Sequence, residues 1–378
     1  MSEVRFKLET DPPRVLAEAG SGTVELPALW LRERCQDPVN LDPQTQQRLF
    51  DPHRLPDDLI LVRAEGAGEN RARLSFSDGY SGEYELTRLA DDLDRDDGLP
   101  REVPWRADAD LTLERMSVNG RKLESDEVRL TAVERLLTHG FVIIRDLPTH
   151  PECILEVAAR FGHVRETNFG RLFEVYSRPG SNDLAYRPVP LGPHTDNPYR
   201  EPVPGVQLLH CLVNETRGGL STLVDSLSVA AALQEEDPEG LQLLASTPVR
   251  FRFLDANEEL IERRPIVQRD ASGRMTGVHY SPRLDYMPLL DAATTRRFQR
   301  ARRRLSELFA DPRFELRFPL RAGELMMFNN SRVLHGRTAY DPDEGRRHLQ
   351  GCYIDLDGPK SLYRTLSRRL GQERGRRS

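Results

Sequence analysis

Apolar residues in this chain fall mostly in short runs, many alternating with polar ones and bounded by Gly, Pro, Asp or Ser, a pattern that predicts strands more than helices. Residues 1–100 form a small β-rich unit with runs at Val4–Lys7, Leu59–Val62 and Arg73–Phe76. The turn Ser77-Asp-Gly79 breaks them, and the Pro-, Asp- and Gln-dense stretch from Cys35 to Asp58 predicts a long ordered loop. Residues 101–124 lie in an acidic, Pro-containing stretch and are expected to be a linker. A second unit, 125–370, opens with a helical pattern around Val133–Leu137, a buried strand at Gly140–Ile144 and a helix at Ile154–Phe161. Strand-like runs then dominate: Leu172–Tyr176, Val206–Val213, Ser221–Val224, Val249–Phe253, Phe314–Phe318, Glu324–Phe328 and His348–Asp355. Helical patterns interrupt them at Val229–Ser246, at Asp291–Phe309 and from Pro359 on. The basic tail 371–378 is expected to be disordered. The fold class is therefore mainly β with flanking helices (α+β).

Composition narrows the functional classes. Charged residues are 30% of the 378, yet the net charge is only −6, so neither a nucleic-acid nor a membrane surface is advertised. Lysine is confined to Lys7, Lys122 and Lys360, so nearly all 54 basic residues are arginine and a single Arg carries little information by itself. No apolar run approaches the ~18 residues of a membrane span, and Met1–Phe6 lacks a signal pattern. Cys35, Cys153, Cys211 and Cys352 are widely separated and read as reduced thiols of a cytoplasmic protein.

Candidate chemistry concentrates in Pro193-His-Thr-Asp-Asn-Pro198. His194 and Asp196, two apart on an extended segment, project to the same side and can grip one cation. A second His completes a 2-His-1-carboxylate face with three open positions, the arrangement of non-haem Fe(II) oxygenases. His335, in Val333-Leu-His-Gly-Arg-Thr338, is the candidate, and Arg347 follows twelve residues later as a holder for an acidic cosubstrate. Many short strands with ligands on two distant ones predict a double-stranded β-helix jelly-roll.

The sequence resembles the Fe(II)/2-oxoglutarate dioxygenases of the taurine dioxygenase superfamily, and within it the γ-butyrobetaine hydroxylase group. The resemblance is carried by Leu184-Ala-Tyr186, His194-Thr-Asp196, Pro204–Cys211, Gly218-Gly219, Val224-Asp225, Leu334–Arg337 and Arg347–Tyr353, with Trp30-Leu-Arg32 matching a small N-terminal domain. It implies that His194, Asp196 and His335 hold Fe(II) and that Arg347 pairs with the far carboxylate of 2-oxoglutarate. Leu209 and Ser221 match positions lining that cosubstrate. The implied reaction consumes O2, releases succinate and CO2 and hydroxylates an unactivated C–H; ascorbate is a reductant the resemblance allows. Retention of Asp196 favours hydroxylation over halogenation.

Carried over residue by residue, the resemblance places Phe169, Phe173, Tyr186 and Tyr353 around a trimethylammonium group. Such a cation has no N–H to donate and is best held by ring faces. The far end departs from the family, whose side-chain amides hold a carboxylate: here one such position is Asp183 and the other falls near Ser281. Asn182, Tyr199, Arg187 and Arg283 are nearby donors. An acid facing a carboxylate is repulsive, which favours a phosphonate, as in the 2-(trimethylammonio)ethylphosphonate hydroxylase branch, slightly over γ-butyrobetaine. The family's N-terminal zinc ligands are missing apart from Cys35, Tyr80 standing at the His position, so no zinc is expected. A homodimer is implied by the resemblance. Rival readings are a dioxygenase acting on another amine or a sulfonate, a metal-binding jelly-roll without turnover, and a zinc hydrolase; the last gives Arg347 no role.

Overall fold

A computed structural model of the chain describes residues 4–19, 22–93, 98–108, 111–176 and 189–377. Two compact units result, residues 1–97 and 98–378.

The first unit holds two three-stranded antiparallel sheets, Arg5–Thr10 with Pro13–Ala19 and Gly22–Glu25, and Leu61–Gly66 with Arg71–Phe76 and Ser81–Glu85. Alternation sets the faces: Ala72, Leu74 and Phe76 are buried while Arg71 and Arg73 stay exposed. The Cys35–Asp58 stretch is irregular apart from an isolated β-bridge between Leu41 and Arg48 and a 3-10 turn, Pro52–Arg54, as its composition predicts.

The second unit is built on two sheets. The larger runs Phe173–Tyr176, Arg347–Ile354, Val206–Asn214, Leu325–Asn329, Phe141–Arg145 and Ser117–Asn119, with Val164–Arg165 also pairing to Arg347–Ile354. The smaller runs Leu191–His194, Val333–Arg337, Ser221–Asp225 and Glu315–Phe318. From residue 206 onward the chain passes repeatedly from one sheet to the other. Leu209, Cys211, Met326, Phe328 and Leu349 of the larger sheet share a core with Leu223, Phe318 and Val333 of the smaller. This is the two-sheet jelly-roll expected from the strand pattern.

Three expectations need correction. Residues 101–124 are no linker: Trp105 and Met116 are buried and Ser117–Asn119 pairs parallel to Phe141–Arg145. Their apolar residues are too scattered among acids to show a period. The helix expected over Val229–Ser246 is two helices, Ser226–Glu236 and Pro238–Ser246. Proline bars the preceding residue from helical ψ, and Asp237 turns out at φ −152° to cap the N–H of Gly240. The tail continues the final helix, Asp357–Arg377: Gln372, Glu373 and its arginines are good helix formers and no proline interrupts it, although Gly371 and Gly375 weaken it.

A buried base gives this fold an acid limit. His210 on Val206–Asn214 is fully buried, and among the described residues neither ring nitrogen has a hydrogen-bond partner. Burial, then the nearby His150, pushes its pKa down from 6.5 to about 4. The unfolded chain therefore binds the proton first as pH falls. The stability that His210 supplies is complete above pH 6.5 and is lost toward pH 4, by up to about 3 kcal/mol. Urea unfolding at pH 7, 5.5 and 4.5 should show this slope, and His210→Leu should flatten it.

Candidate metal centre and substrate cavity

His194 is the last residue of the strand Leu191–His194 and sits directly across the ladder from His335 on Val333–Arg337. Their ring centroids are 4.3 Å apart. Asp196 lies just beyond the strand, in a bend whose next residue, Asn197, has φ +53°. One ligand atom from each of the three residues falls within a 4.8 Å cluster. The His194 Nε2 atom is 3.4 Å from Asp196 Oδ1, and the His335 Nε2 atom is 3.9 Å from Asp196 Oδ2.

The surroundings fix these donors before any ion arrives. His194 Nδ1 is 3.0 Å from the Gly192 carbonyl, which leaves Nε2 for a metal. Asn330 accepts from the Asp196 N–H at 2.8 Å and donates to its carbonyl at 3.0 Å. The Tyr353 hydroxyl donates to Asp196 Oδ2 at 2.7 Å. Burial alone would raise the Asp196 carboxyl, but the imidazoles of His335 and His194 and the Tyr353 hydroxyl outweigh it and hold it well below the usual range. Burial, then His194, drives His335 down to about 3. A carboxylate flanked by two imidazole nitrogens is the donor set an Fe(II) site requires.

Tyr353→Phe tests this arrangement, since it removes the hydroxyl and keeps the ring. Loss of such an outer hydrogen bond weakens metal affinity by about 10- to 100-fold, which anaerobic Fe(II) dialysis would measure. Substrate affinity of the iron-saturated protein should change far less.

Arg347 opens the strand Arg347–Ile354, on the same face as Gly351 and Tyr353. It is buried, its Nε has no hydrogen-bond partner among the described residues, and its guanidinium lies 5.4 Å from the Tyr340 ring centroid. Gly219, at φ +64°, makes room for it: a Cβ there would stand 3.0 Å from Arg347 Nε. Leu209 is buried on the strand paired to Arg347–Ile354, and Ser221 is buried on a strand of the smaller sheet. These three residues do not line the cavity above the metal ligands; Arg347 instead lines a second hollow of about 610 Å3 with Tyr340 and His348.

The main cavity, about 560 Å3, is lined by His194 and Asp196 together with Phe169, Phe173, Tyr199, Ser281, Arg283 and Tyr353. Phe173 lies against the Tyr353 ring at 5.3 Å and Phe169 at 6.4 Å. It can do so because position 351 is glycine, where a Cβ would meet the Phe173 ring at 2.2 Å. Tyr199 differs from its expected part as an anion donor: its hydroxyl donates to Asn197 Oδ1 at 2.7 Å. Asn182, Asp183, Tyr186 and Arg187 lie outside the described residues. Sequence reasoning missed Asn330, Phe253 and Asp255. The latter two also line the cavity, from the hairpin Pro248–Leu254/Glu259–Pro265.

Near the Cys35 loop the residues do not suit zinc. The Arg32 guanidinium reaches Cys35 Sγ at 3.5 Å, pairs with Asp78 at 2.8 Å and lies over the Tyr80 ring at 4.0 Å, while the Tyr80 hydroxyl donates to Asp37. A cation already occupies the place where thiolates would have to gather around a metal.

Comparison with known proteins agrees with this geometry. Residues 106–353 match the family described as taurine catabolism dioxygenase TauD, TfdA family. Over 347 residues the chain is 33% identical to a gamma-butyrobetaine dioxygenase of Pseudomonas sp. (strain AK-1), covering 90% of each chain. It is 30% identical over 353 residues to Dioxygenase str8 of Strobilurus tenacellus, covering 88% of this chain and 82% of that one. Identity to a trimethyllysine dioxygenase of Meyerozyma guilliermondii is 26% over 363 residues, covering 89% of each. With its His-Asp-His cluster in place, the chain belongs to the TauD/TfdA family and is an Fe(II)- and 2-oxoglutarate-dependent dioxygenase.

Proposed function

We propose that this enzyme hydroxylates a small trimethylammonium compound with an anionic tail, either 2-(trimethylammonio)ethylphosphonate or γ-butyrobetaine. One observation carries the reading: a single cavity presents aromatic rings beside the metal ligands and also contains Arg283 and Ser281. The names of the gamma-butyrobetaine and trimethyllysine relatives support the cationic end.

His194, Asp196 and His335 would hold the iron, which when bound supplies O2 activation coupled to oxidative decarboxylation of 2-oxoglutarate. Arg347 would pair with the cosubstrate's far carboxylate, since its planar fork suits bidentate binding and its Nε has no partner among the described residues. Leu209 and Ser221 would flank that molecule. Phe169, Phe173, Tyr353 and Tyr186 would hold the onium group. Arg283, Ser281, Asn182 and Asp183 would face the anion, and a set that holds both a guanidinium and an acid suits a phosphonate that keeps one proton. Tyr353 would serve both ends of the chemistry, holding the Asp196 carboxylate with its hydroxyl and the substrate cation with its ring.

The test is turnover of each compound with Fe(II) and 2-oxoglutarate, followed by mass spectrometry for a product heavier by one oxygen and by succinate release. Turnover of either supports the reading. Failure with both while an unmethylated amine or a sulfonate reacts would overturn it. We also propose a cytoplasmic protein without zinc, on the four unpaired cysteines and the departure at the Cys35 loop, and a homodimer, as the family resemblance implies.

A further inference from the structure

Five aromatic rings form a chain whose two ends are tied to consecutive residues of the metal-binding segment. Tyr353 is bonded to Asp196, and its ring meets Phe173 at 5.3 Å. Phe173 meets Phe169 at 6.4 Å, Phe169 meets Phe253 edge-on at 6.0 Å, and Phe253 stacks on Tyr199 at 5.1 Å. Tyr199 is in turn bonded to Asn197. All five rings line the main cavity, and Phe253 is the link between its two walls.

Phe253 stands near the end of the strand Pro248–Leu254, and two residues later the hairpin turn places Asp255 on the same cavity. Asp255 Oδ1 accepts the backbone N–H groups of Asn257 at 2.7 Å and Glu258 at 2.8 Å, so the carboxylate is fixed at the rim. Of the other two acids lining the cavity, Asp196 belongs to the metal cluster and Glu174 is committed to His348 at 2.5 Å and Gln350 at 2.9 Å. Among the described residues the exposed Asp255 side chain bonds only to backbone amides and has no cationic side chain paired with it.

We infer that this hairpin selects for the cation: Phe253 supplies a ring face to the bound onium group and Asp255 draws the positive end of the substrate in. The inference rests on the proposed trimethylammonium substrate and assigns two residues that the family resemblance does not. The two parts differ in range. A ring face attracts a cation within about 6 Å of its centroid and is little affected by salt. A rim carboxylate acts on approach, and about 0.5 M salt screens it within a few ångströms.

The experiment compares the substrate that is turned over with its neutral isostere, in which a tert-butyl group replaces the trimethylammonium group, used as a competitive inhibitor. Wild type should favour the cation. Phe253→Leu should reduce the cation-to-isostere preference by about five- to tenfold, the loss of one cation–π contact, and Phe253→Tyr should restore it. Using a ratio cancels any loss of folded protein. Asp255→Asn should lower kcat/KM for the cation several-fold at low salt and much less at about 0.5 M. If Phe253→Leu weakens both compounds equally, or leaves the ratio unchanged, the hairpin has no selective role. A salt-independent effect of Asp255→Asn removes that residue from the inference. If wild type itself shows no preference for the cation, the substrate reading falls instead.

Discussion

Replacing His335 with alanine is expected to abolish 2-oxoglutarate-dependent succinate release and Fe(II) binding together. The centre has three protein donors clustered within 4.8 Å, and His335 is the one contributed by a strand far along the chain from the other two. Metal-assisted chemistry is worth several kcal/mol, so activity should fall on the order of a thousandfold or more. The fold should survive, because removing one imidazole from an apolar strand costs little beside the core around it. Calorimetry and anaerobic Fe(II) dialysis on the same preparation separate the two outcomes. Normal iron binding with normal turnover would discard the metal assignment.

Asp225→Ala should produce the largest loss of stability. Asp225 and Arg332 form a fully buried two-pronged pair, with contacts of 3.0 and 3.1 Å. Asp225 also accepts the Trp105 N–H at 3.0 Å, while Arg332 donates to the carbonyls of Thr138 and Val103 at 2.8 Å each. Removing the carboxylate strands a buried guanidinium, at a cost of roughly 3–5 kcal/mol. For a unit of this size that lowers Tm by on the order of 10 °C. Arg304→Gln, which breaks an exposed pair with Glu236, should change it by less than about 1 kcal/mol. Because a buried pair replaced whole by apolar residues is often neutral, Asp225→Leu combined with Arg332→Met should recover much of the loss.

The metal ligands were legible because their spacing is local: a His and an Asp two apart meet in space through one short segment, and only His335 had to be brought from elsewhere. Arg347 was named from its place twelve residues after His335 and from the resemblance, and the structure adds that Gly219 leaves room for its side chain. The jelly-roll strands were legible wherever an apolar run lay between two covered faces, as in Val206–Asn214 and Leu325–Asn329. Trp105, Met116 and Val118 were not, because isolated apolar residues in an acidic stretch have no period to read. Phe253 and Asp255 escaped for another reason. Their position in the cavity comes from a hairpin whose pairing partner, Glu259–Pro265, alternates exposed and half-buried residues without announcing what it faces. Asn330 gives no local signal, since its role depends on contact with Asp196 across 134 positions of sequence.

The hydrogen bond from Tyr353 to Asp196 has an evolutionary consequence. A mutation at 353 that reshapes the pocket also disturbs the iron, so that position is frozen by catalysis. Phe169 and Phe253 have no such tie to the ligands and can vary without silencing the enzyme. New substrates should therefore be acquired by drift along the hairpin wall, while the opposite wall is inherited intact.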